Sequence, residues 1–260
     1  MNSKTLESTL MLISLAVAPV LIFLHAVYIA DRYEKEPIKN LFRYLLAGGV
    51  ATAGVLLSDQ LLPFPHPPRD ANWIPLFSAF VILIRVALVE ETAKRIALWY
   101  SARRDRELNE PFDWIVYSVS IALGFALVEN IMYVLRFGFP TAIVRAFTAV
   151  PSHALNGTLM GDRLARAAES KGRSANLQRC WAIAEPTLWH ALYDFVAING
   201  GESGIGLIVA VVFVQYFVAL PRVQKQQQVA RSGLRLPPIM LPDKFLSIHI
   251  ARAKRRAKKT

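Results

Sequence analysis

An apolar run of about twenty residues constrains a chain more than any motif does. In a bilayer it has one economical conformation, a helix that satisfies its own backbone. Seven such runs succeed one another here, at 10–30, 41–63, 73–100, 114–137, 141–160, 179–198 and 204–220. The expected fold is all-α, a polytopic transmembrane bundle of about seven helices. One membrane domain occupies 1–220 and a basic tail occupies 221–260. The first run is read as a retained helix, because Tyr28-Ile29-Ala30 is a poor small-x-small cleavage site. A single cysteine, Cys180, excludes an internal disulfide and a cysteine-based zinc site.

Charge placement orients the bundle. Alternate connections and the tail carry 22 Lys and Arg on one side, against three (Lys4, Arg69, Arg136) on the other. The positive-inside rule puts the N-terminus outside and the C-terminus in the cytoplasm. Arg43, Arg95 and Arg145 lie near enough to helix ends to snorkel. The net charge of +11 comes largely from the tail. Its Lys254–Lys259 cluster is read as attraction to anionic inner-leaflet lipids rather than as a nucleic-acid-binding arm.

Against that apolar background the exceptions carry the information. A charge at the centre of a membrane helix costs roughly 2.5–3.5 kcal/mol on insertion scales. The third run nonetheless contains Glu90, Glu91 and Lys94. The fourth has Glu129 and Asn130, the fifth His153 and Asn156, the sixth His190 and Asp194. At about 1.5 Å of rise per residue, these fall at similar depth in mid-bilayer. Pro151 and Pro186 stand near the two histidines and free backbone groups there. Gly157 and Gly161 form a small-xxx-small pair suited to close helix packing. Trp114 is expected to anchor its helix at the interface.

His153, His190 and Glu129 form the ligand set of a catalytic zinc site with an open position for water. Glu90 or Glu91 is placed to take the proton from that water. Lys94 balances the glutamate not so used, and Asp194 is placed to orient His190. Three readings remain open on composition alone: hydrolysis, proton or ion transport along the same residues, and a polar network that only pins helix packing. No inverted repeat supports transport.

The chain resembles the PrsW family of intramembrane proteases, in a wider clan with the CAAX prenyl endopeptidases. The resemblance rests on Glu90-Glu91-Thr92-Ala93-Lys94 and on Gly124-Phe125-Ala126-Leu127-Val128-Glu129-Asn130. It rests further on His153 eight residues before Gly161, on His190-Ala191-Leu192-Tyr193-Asp194, and on the acidic Asp31–Pro37 loop. One departure is Asp113-Trp114, where the family commonly has Asp-Gly. The resemblance implies an integral protein of the bacterial cell membrane. It also implies hydrolysis of a peptide bond in a single-pass membrane protein, an anti-sigma factor in the family's best-known role. Two mechanisms stay open. One uses zinc; the other uses Glu90 on a free water, with the histidines and Asn130 holding the oxyanion.

Overall fold

The computed structural model describes residues 3–61, 74–103 and 105–234. The Pro-rich break Pro63–Asp70 and the basic cluster Lys254–Lys259 lie outside them. Among the described residues there is no strand. The helical segments are α1 (Ser3–Ala30), α2 (Ile38–Leu61), α3 (Ile74–Val81), α4 (Leu88–Ala102), α5 (Pro111–Phe137), α6 (Phe139–Phe147), α7 (Ala149–Glu169), α8 (Gly172–Asn199) and α9 (Gly204–Arg231). A π-helix, Ile82–Ala87, joins α3 to α4 without interruption, and α6 runs into α7 across one residue. The segments therefore make seven rods, as expected.

Four of the rods are long and apolar enough to cross a membrane by length and composition: Leu6–Ala30, Ile38–Ser58, Pro111–Phe137 and Gly201–Arg231. The other three carry Glu90 and Glu91, His153, and His190.

Helix α5 is the axis. Its apolar window is 72% buried, against 22% for α1 and for α9, and it packs most extensively on α7, α2 and α1. Its start is fixed by Glu110 and Asp113, which form a reciprocal cap with Pro111 at the first turn. Gly138, at φ +79°, ends it in a conformation that L side chains avoid. Close approach of α7 needs glycine at two positions. A Cβ on Gly157 would meet Ser118 O and Val119 Cα at 2.9 Å, and one on Gly161 would meet Ile115 Cα at 2.5 Å. The small-xxx-small pair is thus a packing device. Trp114 is buried in this core rather than anchoring at an interface, because the α5–α7 contact closes over it.

Three expected boundaries moved. The fifth run breaks at Thr148, whose φ −126° and ψ −65° leave the helical region. Pro151, three residues on, lacks the donor that a continuous helix would require and fits the first turn of a new one. The basic loop expected over 161–178 is helical but for Ser170 and Lys171, because its charges are paired. Arg163 Nε donates to Glu185 Oε2 at 2.7 Å, and Arg166 pairs with Asp162 at 2.9 Å. Finally, α9 continues through Pro221 to Arg231. Arg222 holds this extension with two hydrogen bonds, 2.9 and 2.6 Å, to the Glu185 carboxylate.

Outside the membrane-spanning segments, the Asp31–Pro37 loop folds onto the start of α5. Asp31 Oδ2 accepts from the Glu36 backbone N–H at 2.8 Å, and the Glu36 carboxyl meets the Tyr117 hydroxyl. Burial and the neighbouring Asp113 push the Glu36 carboxyl up to about 10.

Candidate active site

The six residues Ile82–Ala87 are π-helical and lead directly into α4. Single π-turns collect at functional sites, where they shift the register of the helix beyond them. Here the helix beyond carries Glu90 and Glu91. The two glutamates point about 100° apart around α4, and they have different surroundings.

Glu91 is fully buried. Its Oε1 accepts from Lys94 Nζ at 2.7 Å and meets His190 Nδ1 at 2.8 Å. Lys94 also lies 3.8 Å from Glu90 Oε2 and 4.3 Å above the Phe125 ring. The i,i+3 partner Glu91 thus outcompetes the i,i+4 partner Glu90 that helical spacing first suggests. Glu90 Oε2 has no hydrogen-bond partner among the described residues. It stands 3.8 Å from His190 Nε2.

The histidines come from α7 and α8, with ring centroids 5.4 Å apart. His153 Nε2 is 2.9 Å from Glu129 Oε2 and its Nδ1 is 3.1 Å from Lys94 Nζ. A lysine ammonium donates and never accepts. His153 Nδ1 therefore presents its lone pair to Lys94, and Nε2–H donates to Glu129. His190 faces carboxylates through both ring nitrogens. Its Nδ1–H donates to Glu91, which leaves Nε2 turned toward Glu90 and toward Asp194 Oδ2 at 3.4 Å. Glu91 thus holds His190 Nδ1 across helices, while Asp194, one turn along α8, stands beside the other ring nitrogen.

Asn130 is engaged elsewhere. Its Nδ2 donates to Ala16 O at 3.0 Å, and its Oδ1 accepts from Arg145 Nε at 2.8 Å. Arg145 does not snorkel. Its guanidinium turns inward, 3.1 Å from Glu129 Oε2. Sequence reasoning missed this residue because position near a helix end was its only signal. Glu129 and Asp194 keep side-chain exposures of 19% and 22%, which marks the mouth of the site.

Two imidazoles and several carboxylates are metal-binding chemistry. Four carboxylates (Glu90, Glu91, Glu129, Asp194) and two cations (Lys94, Arg145) surround the histidines. The donor set therefore fits a metal in kind. Among the described residues, however, no three donors are grouped so as to hold one. His153 has the tautomer of a hydrogen-bond donor, with its one N–H given to Glu129.

This is a polytopic helical membrane protein whose buried Glu–His–Lys centre has the makings of a hydrolase. The family described as "PrsW family intramembrane metalloprotease" matches residues 36–220, and the chain belongs to that family; it is an intramembrane protease. The chain is 32% identical to "Protease PrsW" of Geobacillus kaustophilus over 88% of its own length and 97% of that protein. It is 30% identical to the protein of that name from Halalkalibacterium halodurans, over 85% and 99%. For the Bacillus subtilis protein the identity is 31%, over 71% and 82%. No solved structure matches.

Proposed function

We propose that the chain hydrolyses a peptide bond of a single-pass membrane protein, in or at the edge of the bilayer, with Glu90 as the base. The observation that carries this reading is the Glu90 Oε2 atom: buried, without a hydrogen-bond partner among the described residues, and 3.8 Å from both His190 Nε2 and Lys94 Nζ. A buried carboxylate oxygen left open in this way is costly unless a water or substrate fills the place.

Glu90 takes the proton of the attacking water and delivers it to the leaving amine. Glu91 holds His190 through Nδ1 and is itself held by Lys94, so that His190 Nε2 stays aimed at the reacting atoms. Lys94 keeps the paired glutamates from repelling one another. Asp194, beside His190 at the mouth, orders the water. Asn130 braces Arg145 rather than touching substrate. Zinc is the metal this donor set suits; Glu129, His153 and His190 would hold it, and when bound it would polarise water and the scissile carbonyl.

The direction of the His153 ring supports a second version. With Nε2–H donating to Glu129 and Nδ1 facing Lys94, His153 offers no lone pair to a metal, and Glu90 would then act on a free water. Both versions use the same residues.

The position of the site among the helices supports a membrane-spanning substrate, and an anti-sigma factor is the substrate that the family resemblance suggests. The location is the bacterial cell membrane, with the tail bound to anionic inner-leaflet lipids. The test is purified protein in vesicles with a membrane-anchored peptide. Cleavage is expected, and Glu90→Ala or His190→Ala should abolish it. If those variants cut as well as the parent, the proposal is wrong.

A further inference from the structure

Helix α6 has nine residues, too few to cross a bilayer, and it precedes the break at Thr148. Its apolar residues Phe139, Ile143 and Phe147 are exposed. Arg145 reaches from it into the polar centre. A guanidinium that could reach water past the helix end is instead turned inward, so something there holds it.

Three contacts do so. Nε donates to Asn130 Oδ1 at 2.8 Å, Nη2 lies 3.1 Å from Glu129 Oε2, and the guanidinium sits 4.2 Å above the Tyr133 ring. Asn130 is itself fixed, fully buried, with Nδ2 on the carbonyl of Ala16 in α1. The Glu129 oxygen that Arg145 approaches is the one that meets His153 Nε2 at 2.9 Å. One carboxylate oxygen is thus held between a guanidinium and an imidazole. The chain of contacts runs Ala16 carbonyl, Asn130 amide, Arg145, Glu129, His153, and so joins α1, α5, α6 and α7.

We infer that Arg145 is a positioning residue for the proteolytic reaction: braced by Asn130, it fixes the direction of the Glu129 carboxylate against His153. The inference rests on the proteolytic reading above. A guanidinium suits the task because Nε can hydrogen-bond Asn130 while the delocalised charge stands 3.1 Å from Glu129 Oε2, whereas an ammonium is a point charge. It also explains why an asparagine follows Glu129. Glu129 and Asn130 lie on adjacent faces of α5; one meets the histidine and the other meets the residue that steers it.

The test compares the parent with Arg145→Gln, Arg145→Lys and Asn130→Ala, by steady-state cleavage of a membrane-anchored peptide in vesicles. Thermal midpoints in micelles are read for Arg145→Gln, Glu129→Gln and the double variant. A misplaced catalytic group costs on the order of 100-fold. Arg145→Gln is therefore expected to lose about 100-fold in kcat with KM within about twofold. Arg145→Lys and Asn130→Ala, each keeping the positive charge, should lose about tenfold. In the Glu129→Gln background, Arg145→Gln should lower the midpoint no further. Three results overturn the inference: a cleaving parent with Arg145→Gln turning over like it, a loss confined to KM, or midpoint shifts that simply add. A parent that does not cleave, with coupled midpoints, overturns the proteolytic reading and leaves an ion pair that positions nothing catalytic.

Discussion

Adjacent glutamates with different partners should fail in different ways. Glu91→Gln removes the charge that meets Lys94 at 2.7 Å in a buried environment. Breaking a buried pair by neutralising one partner costs about 3–5 kcal/mol, chiefly because the other charge stays buried. Glu90, 3.8 Å from the same ammonium, offsets part of that, so about 3 kcal/mol is expected. Glu90→Gln breaks no hydrogen bond made by Oε2 and relieves crowding among carboxylates. Its effect on stability should stay within about 1 kcal/mol. Its effect on rate should be large, because losing a general base costs about 100- to 10,000-fold. The assay is denaturant unfolding of the purified variants in micelles, beside cleavage of a membrane-anchored peptide. The expected outcome is Glu90→Gln stable and inert, Glu91→Gln visibly destabilised. A Glu90→Gln protein that unfolds as easily as Glu91→Gln, or that cuts like the parent, refutes the division of roles.

Other expectations concern the frame around the site. Gly161→Val adds side-chain carbon where even a Cβ would stand 2.5 Å from Ile115 Cα; it should cost about 1–3 kcal/mol by overpacking and separate α5 from α7, read by the same unfolding assay. The Glu36 carboxyl is raised from 4.5 to about 10 in the folded protein. The folded state therefore holds a proton there that the unfolded state loses above 4.5, and stability falls as pH rises between those values. Glu36→Gln should flatten that part of the profile, measured as thermal midpoints between about pH 5 and 9. Metal analysis of detergent-purified protein should find about one zinc per chain, lost in His153→Ala, if the zinc version operates. Its absence from a protein that still cleaves would select the free-water version.

Much of the fold was legible because the bilayer leaves so few choices. Seven apolar runs became seven rods, and the charged residues inside them met, because a membrane helix retains a glutamate or histidine only where a partner offsets its cost. Gly157 and Gly161 announced a close helix contact, but not that α5 would be the partner. The features that stayed hidden depend on neighbours. Ile82–Ala87 reads as an apolar stretch interrupted by Arg85, and a π-turn leaves no mark in hydropathy. Arg163 and Arg166 looked like loop charges until Glu185 and Asp162 accounted for them. Pro221 looked like a stop, but the Arg222–Glu185 pair carries α9 past it. Asn130 was legible as a polar residue at depth, and Arg145 only as a charge near a helix end. Their mutual contact was not, because it depends on the break at Thr148 that sets the course of α6.

The most direct test of the account is cleavage in water enriched in heavy oxygen. Purified protein is held in vesicles with a single-pass peptide, and the products are read by mass spectrometry. The account predicts a cut in or at the edge of the apolar span, one heavy oxygen in the new carboxyl terminus, and no product from Glu90→Gln. Equal product from the parent and Glu90→Gln, or a cut confined to the part of the peptide outside the membrane, would contradict it.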